Sequence, residues 1–491
     1  MSLRTVLGEM PSGKVFELTP SDVAKYINDN YLTSSTEERR IHVASQRLDL
    51  YQDRGRDQLE RAIDNVFKNS ETRRLRKQFA DIAMYQNLTK RITNEISSVY
   101  SEKARRRVSD RNGNYQLLID SVGLDRHMRK ANRFTNLLNE CLVWFRVRRR
   151  DRVMVCHVIT PNKFYAIAHP SDPTQLIAVM FGSKPFGGKS KPTDPAWVVW
   201  SDTETFLMDS DGRYVENSWV EHGLGVMPGV LLHREVPDSS LLDPDPGSDL
   251  TSAHIAVALL NVMLLKEQKS GSKIPYTTGD LSATAYNQAM DSESLTTFQE
   301  GVSPGVLDMG SDPRSYIDSI RMVIKSIAAS YGIPESVFDL SYQATSGFEI
   351  ELKRTGLREK RRDQLIDYRP YERQIADVMS AVSTHDLPSM SYGTEDWSID
   401  FGEVETPQEP AARLAYWEQE RRMGLTTTID MIMESNPEFT DQQAAIYLER
   451  NIALETERVR AMQEMQALGA SPDSDVVSTD DSTSTMNAEE G

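Results

Sequence analysis

The sequence reads as an α+β protein, mainly helical, and three observations carry that reading. Between Asp249 and Phe348, two rod-like apolar stretches flank a segment broken by glycine and proline. Between Leu142 and Pro237, short alternating apolar runs are separated by turn residues, the pattern of antiparallel hairpins. After Ser346, and again from Thr406 to about Leu468, apolar residues return at helical spacing behind capping residues.

The 491 residues exceed one ordinary hydrophobic core, so several domains or one elaborated subunit are expected. With 39% hydrophobic and 26% charged residues, the composition is that of a globular protein with a helical bias. Lys and Arg number 56 against 73 Asp and Glu, a net charge of −17. A protein that grips duplex DNA over a broad surface is usually basic, so any contact with nucleic acid here is expected to be local or slippery. Cys141 and Cys156 are the only cysteines, too few for a disulfide scaffold or a zinc cluster, and they suggest a reducing compartment. MSLRTVLGEMPSGK has no apolar run for a signal peptide, and no later stretch reaches the roughly 20 apolar residues of a membrane span. Assembly in a cytoplasm, with no membrane, is the expectation.

Residues 1–18 read as a loose arm. Thr19-Pro20 opens a helix with Asp22 at its third position, and Ser35 to Glu38 opens another. From there to Arg107 the chain reads as charged helix, with 85–100 its most periodic part. The triplet Arg105-Arg106-Arg107 reads as an exposed helix end rather than a nucleic-acid contact. Gly123 to Asn139 is a further helix. In 142–159, Val143, Phe145 and Val147 alternate with Trp144, Arg146 and Arg148, which predicts a two-stranded ribbon with one buried and one basic face. That face reads as solvated rather than as a nucleic-acid platform, since the interleaved aromatics needed for stacking are absent beyond Trp144. Strands are expected at 164–170, 174–181, 196–202, 203–209 and 213–220, with a last extended segment at 227–237.

The first rod opens at Asp249 or Thr251. Its eleven residues Ile255 to Leu265 carry one polar side chain, Asn261, and helix to Ser270 would be roughly 33 Å long. A helix apolar all round needs neighbours on every side. Asp312-Pro313 starts the second rod, whose apolar stripe is Ile317, Ile320, Ile324, Ile327 and Tyr331, with Gly332-Ile333-Pro334 ending it. Ser346 and Glu349 have capping-box spacing for a long helix, and Pro370 inside that helix should kink it. A strand at 397–405 follows, then a capping box at Thr406 to Glu409, a turn at Gly424 and another capping box at Thr440 to Gln443. The tail from Ala470 holds six acids and no base and cannot bury a core, so disorder is expected.

In this order the central pieces resemble those of the portal proteins of tailed bacteriophages. The matching stretches are the lead-in DPDPGSDL (243–250), the rod with Leu259, Leu260 and Lys266 to Lys269, and PGVLDMGS (304–311). The helix ending GIPESVFDL (332–340) and SGFEIELKRTGLREK (346–360) complete them. The resemblance implies an N-terminal arm and α/β wing over 1–248, a first stem helix over 249–273 and a clip insertion over 274–311. It implies a second stem helix over 312–332, a tunnel-loop region over 333–347, and the kinked helix and strand of the wing over 348–405. A helical crown over 406–468 and an acidic disordered tail over 469–491 complete the layout.

No catalytic constellation emerges. Gly188-Lys189-Ser190 ends a stretch that misses phosphate-loop spacing, since position 183 is serine and Gly182 is one residue early. Pro192 and Pro195 then forbid the helix such a loop needs, which makes 181–190 a hairpin loop. Asp209-Ser210-Asp211-Gly212 lacks the remaining ligands of a calcium loop and reads as a turn. Asp243, Asp245 and Asp249 could surround a divalent ion, although turning and helix capping explain them more simply. No cofactor, metal or enzymatic activity is expected.

The resemblance implies a ring of about twelve copies at one capsid vertex of the virion, through which double-stranded DNA is packaged and ejected without sequence specificity. Its implied partners are terminase, then head-tail adaptor or connector proteins, with major capsid and scaffolding proteins around the wing. Twelve copies at −17 each would carry −204, a field that repels phosphate and keeps DNA sliding. Lys266, Lys269 and Lys273, spaced by three and four, share one side of the first rod, where they either contact phosphate or pair with acids of a neighbouring subunit. Tyr342, Gln343 and Thr345 of the cation-free tunnel loop could touch DNA by hydrogen bonds or a ring face. Two rival readings stand beside this one: a packaging ATPase or nuclease, and a helical scaffold or minor capsid protein that forms no channel.

Overall fold

The computed structural model describes residues 2–9, 16–66, 87–110, 112–182, 195–235, 240–243, 247–270, 273–278, 303–308, 313–334, 337–338, 355–402, 410–436 and 439–467. The chain divides into two units, Met1–Val404 and Glu405–Gly491. Helices and antiparallel sheets are both present.

The start of the chain is not loose. Helix α1 (Leu3–Val6) buries Leu3, and the Leu3 N–H donates to Glu204 at 2.9 Å. Helix α2 (Pro20–Ile27) opens with the expected capping box: the Asp22 N–H donates to Thr19 Oγ1, and the Asp22 carboxylate accepts from the Thr19 N–H. Leu3, Leu7, Val23 and Ile27 cover one face of a five-stranded antiparallel sheet. Apolar residues at both ends of the segment explain the docking. Residues 10–15 between them lie outside the described residues.

Helices α3 (Ser35–Tyr51), α4 (Arg56–Val66) and α5 (Leu88–Ile96) follow. Where helix was expected, Arg105–Arg107 forms strand β1, the partner of Ser398–Asp400. Helices α6 (Asn114–Val122) and α7 (Leu124–Leu138) are joined at Gly123, whose φ of +66° suits glycine.

Strands β2 (Glu140–Arg148) and β3 (Val153–Ile159) form the expected hairpin, but β2 also pairs with β9 (Gly229–His233), so the sheet has three strands. The expectation of one basic face holds only at the tip. Nearer the root, Leu142 and Trp144 are as buried as Val143 and Phe145, because a second layer covers them. That layer is the five-stranded sheet of β4 (Phe164–His169), β5 (Asp172–Gly182), β6 (Trp197–Ser201), β7 (Glu204–Met208) and β8 (Val220–Glu221). Trp144 meets Phe181 and Trp200 edge to face between the two sheets. Of the strand expected at 213–220, only its last residue enters β8, while Tyr214 makes an isolated bridge to Met208. The turn before it forms as expected, with Asp209 accepting from the Asp211 and Arg213 N–H groups. The loop expected over 181–190 lies outside the described residues from Ser183 on, and its flanking strands pair antiparallel at Gly182 and Trp197.

Helix α8 (Asp249–Ser270) is the first rod and α9 (Pro313–Ser330) the second. Strands β10 (Lys273–Thr278) and β11 (Ser303–Asp308) pair antiparallel between them. Helix α10 (Thr355–Asp386) continues as one helix through Pro370, and strand β12 (Ser398–Asp400) closes the unit. The capping pair Ser346 and Glu349 lies outside the described residues.

In the second unit, α11 (Pro410–Met423), α12 (Thr428–Ser435) and α13 (Asp441–Ala467) follow one another. Gly424, at φ +72°, makes the expected turn, and Thr440 with Gln443 makes the expected capping box. A further box at Thr427 and Asp430 was not anticipated. The box expected at 406–409 and the tail from 468 lie outside the described residues.

Candidate functional site: the paired rods and the joint at their base

The two rods lie side by side and antiparallel, since the Tyr331 hydroxyl just past the end of α9 donates to the Asp249 carboxylate at the start of α8, 3.2 Å away. Three neighbours share the apolar surface of α8. Ala258 and Val262 meet Leu59 and Ile63 of α4, whereas Leu250 and Val257 join Leu88, Ile92, Ile327 and Ala328 of α5 and α9. Full burial of each Val, Leu or Ile side chain among these is worth about 1.5–3 kcal/mol. His254 would break this surface, but its Nδ1 lies 2.9 Å from Thr89 Oγ1, and burial holds its pKa below the ordinary value.

The second rod is covered only in part. Ile327 and Ala328 are buried, whereas Ile317 and Met322 are exposed, along with Arg314, Asp318, Arg321 and Lys325. So the predicted stripe packs at its C-terminal end and opens to the surface at its N-terminal end, leaving a polar, mixed-charge face for solvent or another chain.

At the base, two glycines form a joint. Gly332 has φ +64°, and a Cβ on Gly356 would stand 3.1 Å from the Gly332 carbonyl oxygen. The ammonium of Lys360 lies over the Tyr331 ring at 5.4 Å and donates to Ser330 O at 3.4 Å. The chain therefore leaves the second rod and re-enters α10 at one place. Arg91 fixes the departing chain by donating to Val337 O and lying 4.6 Å from the Phe338 ring. Sequence placed Tyr331 on the apolar stripe and Gly332 at the helix end, but it singled out neither Gly356, Lys360 nor Arg91, and only the GIP ending of the rod hinted at the joint.

Lys266 and Lys269 fall on α8, as expected. Lys273 does not, because the helix ends at Ser270 and Lys273 opens β10, opposite Asp308. The expected three-lysine row on one helix face is thus a pair. Tyr342, Gln343 and Thr345 lie outside the described residues, as does Asp245 of the candidate acidic cluster. Asp249 accepts from Tyr331. The Asp243 N–H donates to Glu140 Oε1 at 3.2 Å. Among the described residues no group of three acidic, His or Cys side chains is arranged for a metal ion, and no helix is long and apolar enough to cross a membrane.

An ionic cluster replaces the helix end expected at Arg105–Arg107. Arg106 is buried and donates to both oxygens of buried Glu372 at 2.7 and 2.8 Å, and also to Asp125. Glu372 further accepts from the Tyr100 hydroxyl at 2.6 Å. These bonds tie β1 and α7 to the long helix α10. A second polar pair fastens the segment that leads into the first rod. His233 Nε2–H donates to Leu241 O at 2.7 Å while its strand partner Glu140 holds the Asp243 N–H. Burial pushes the Glu140 carboxyl up to about 8 despite nearby Arg40, and its Oε2 has no partner among the described residues.

No family model matches the chain, and no curated protein does. Among solved structures, the chain is similar at 12% identity and a TM-score of 0.37 to a chain from the neck of an empty GTA particle, covering 73% of this chain and 92% of that one. It is similar at 10% identity and a TM-score of 0.35 to a chain from the virion of a native gene transfer agent (GTA) particle, covering 75% and 91%. Both scores fall short of the level that marks a common fold.

Proposed function

We propose that this chain is a structural subunit of a phage-like particle, and within that class a portal subunit whose copies form a ring around a DNA channel. One observation carries the reading: two antiparallel rods are linked at one end by a β-ribbon and meet at the other through Tyr331 and Asp249, beside the glycine joint where α9 ends and α10 begins. Copies related by a rotation axis would bury the exposed N-terminal half of α9 against a neighbour and set the rods around the axis. Such heterologous contacts close into a ring when the rotation divides a full turn. The loop beginning at the joint would then reach the channel, and the surplus of carboxylates would keep DNA from sticking to its wall.

In this reading the ribbon end receives the packaging motor and later the connector proteins, and no step is chemical. The hydroxyl of Thr89 beside His254 is buried between helices, out of reach of a substrate, and the phosphate-loop reading fails on its own spacing. Analytical ultracentrifugation of the purified chain tests the proposal. A discrete species near twelve subunits is expected; a monomer at every concentration, or turnover of ATP, would remove it.

A further inference from the structure

The basic residues at the free end of the β2–β3 hairpin remain unused by the rods. Strand β9 pairs only with Glu140 to Trp144 of β2, whereas β3 continues to Arg148. The hairpin thus runs past the three-stranded sheet as a two-stranded ribbon. Its turn, Arg149-Arg150-Asp151-Arg152, is exposed, and the Arg152 N–H closes it onto Arg148 O at 2.9 Å. Arg148 is neutralised by Asp151 at 3.3 Å. Arg146, Arg149, Arg150 and Arg152 have no ion-pair partner among the described residues, and neither do Arg126 and Lys130 on the adjoining helix α7.

These groups form one positive field. His157 is held below its ordinary pKa by partial burial, then by Arg146 and Lys130; His127 by partial burial, then by Lys130, Arg126 and His157. Arg126, Lys130 and Arg146 thus lie near the same two imidazoles, and β2 carries the chain on from Arg146 to the tip. In a chain of net charge −17 this concentration stands out.

We propose that the β2–β3 ribbon tip, with Lys130 and Arg126 at its root, binds the phosphate backbone of nucleic acid without reading its sequence. Arginine forks suit phosphate oxygens better than ammonium groups do, and five of these six cations are arginines. A two-stranded ribbon has the width that a DNA major groove admits. A protein partner would instead need apolar or aromatic anchors, and no large exposed hydrophobic residue occurs between Arg126 and His157. This surface is separate from the rods and does not require the ring.

Fluorescence anisotropy of a labelled duplex of about 30 base pairs, titrated with the full chain at several salt concentrations, tests the assignment. Arg146→Glu/Arg149→Glu/Arg150→Glu is expected to weaken binding on the order of 10²-fold or more near 0.1 M salt and to flatten the log–log salt slope by about 2.7, three phosphate contacts' worth. The neutral variant Arg146→Gln/Arg149→Gln/Arg150→Gln, compared with wild type by thermal melting, separates lost charge from lost fold and should show the same slope change. Binding unchanged by both variants overturns the proposal. So does wild-type affinity for polyglutamate equal to that for DNA, which would point to an acidic protein. Binding abolished by Lys266→Glu/Lys269→Glu with the tip intact overturns it as well, by placing the contact on the rods. Loss of DNA binding in the tip variants with the assembly state unchanged supports it, whether or not the ring reading stands.

Discussion

Replacing Arg106 by methionine should be among the most damaging single changes in this chain, and the reason is electrostatic. The guanidinium side chain is 1% exposed and the Glu372 carboxylate 0%. In wild type the carboxylate accepts the two-pronged donation of Arg106 and one bond from Tyr100. Arg106→Met leaves the charge in place with only the tyrosine hydroxyl to hold it. Breaking a buried pair from one side typically costs about 3–5 kcal/mol, since the remaining charge loses its counterion but cannot regain water. Replacing both partners, as Arg106→Met/Glu372→Leu, removes the burden together with the attraction and should recover most of the loss. Urea unfolding followed by tryptophan fluorescence reads the difference, because Trp397 packs against the same core. A single variant that costs less than about 1 kcal/mol would refute this reasoning, as would a double variant no better than the single.

Three further outcomes follow from the geometry. Glu140 titrates at about 8 in the fold against an ordinary value of 4.5; its contribution is therefore complete below pH 4.5 and is lost as pH rises through about 8. Wild type should lose on the order of 5 kcal/mol over that window, and Glu140→Gln, which can still accept from Asp243, should lose much less; identical pH profiles in denaturant titrations would reject the assignment. Gly332→Ala, forced to φ +64° beside Lys360, should cost about 1–2 kcal/mol and Gly332→Asn less, and equal melting temperatures for all three proteins would argue against a joint that needs glycine. Under the proposed portal reading, reversing Lys266 and Lys269 to Glu should impair DNA packaging while assembly proceeds; loss of assembly instead would assign both lysines to the subunit interface.

The rods were legible because their signals are local. Asp249, Pro313 and Gly332 stand at or next to the helix ends they signal, so each acts within a few residues of itself; Asp312 lies outside the described residues. The Thr19 and Thr440 boxes were legible for the same reason. Strand β1 was not, since its partner Ser398–Asp400 lies far along the chain and three arginines carry no strand propensity. The burial of Trp144 was hidden likewise: alternation predicts one wet face, and only the second sheet, brought over it by the fold, makes that face dry. Lys273 was placed on the helix by spacing alone, whereas helix α8 stops before Gly271. At the joint, Gly332 was read as a helix end, but its contact with Gly356 joins residues too far apart in sequence for any local signal to reveal.

The central claim is that copies of this chain close into a ring with the rods around its axis. Negative-stain microscopy of the purified full-length protein tests it most directly. End-on averages with rotational symmetry near twelve-fold around a stain-filled channel are the predicted result. Compact single particles without a central channel, or open filaments, would contradict it.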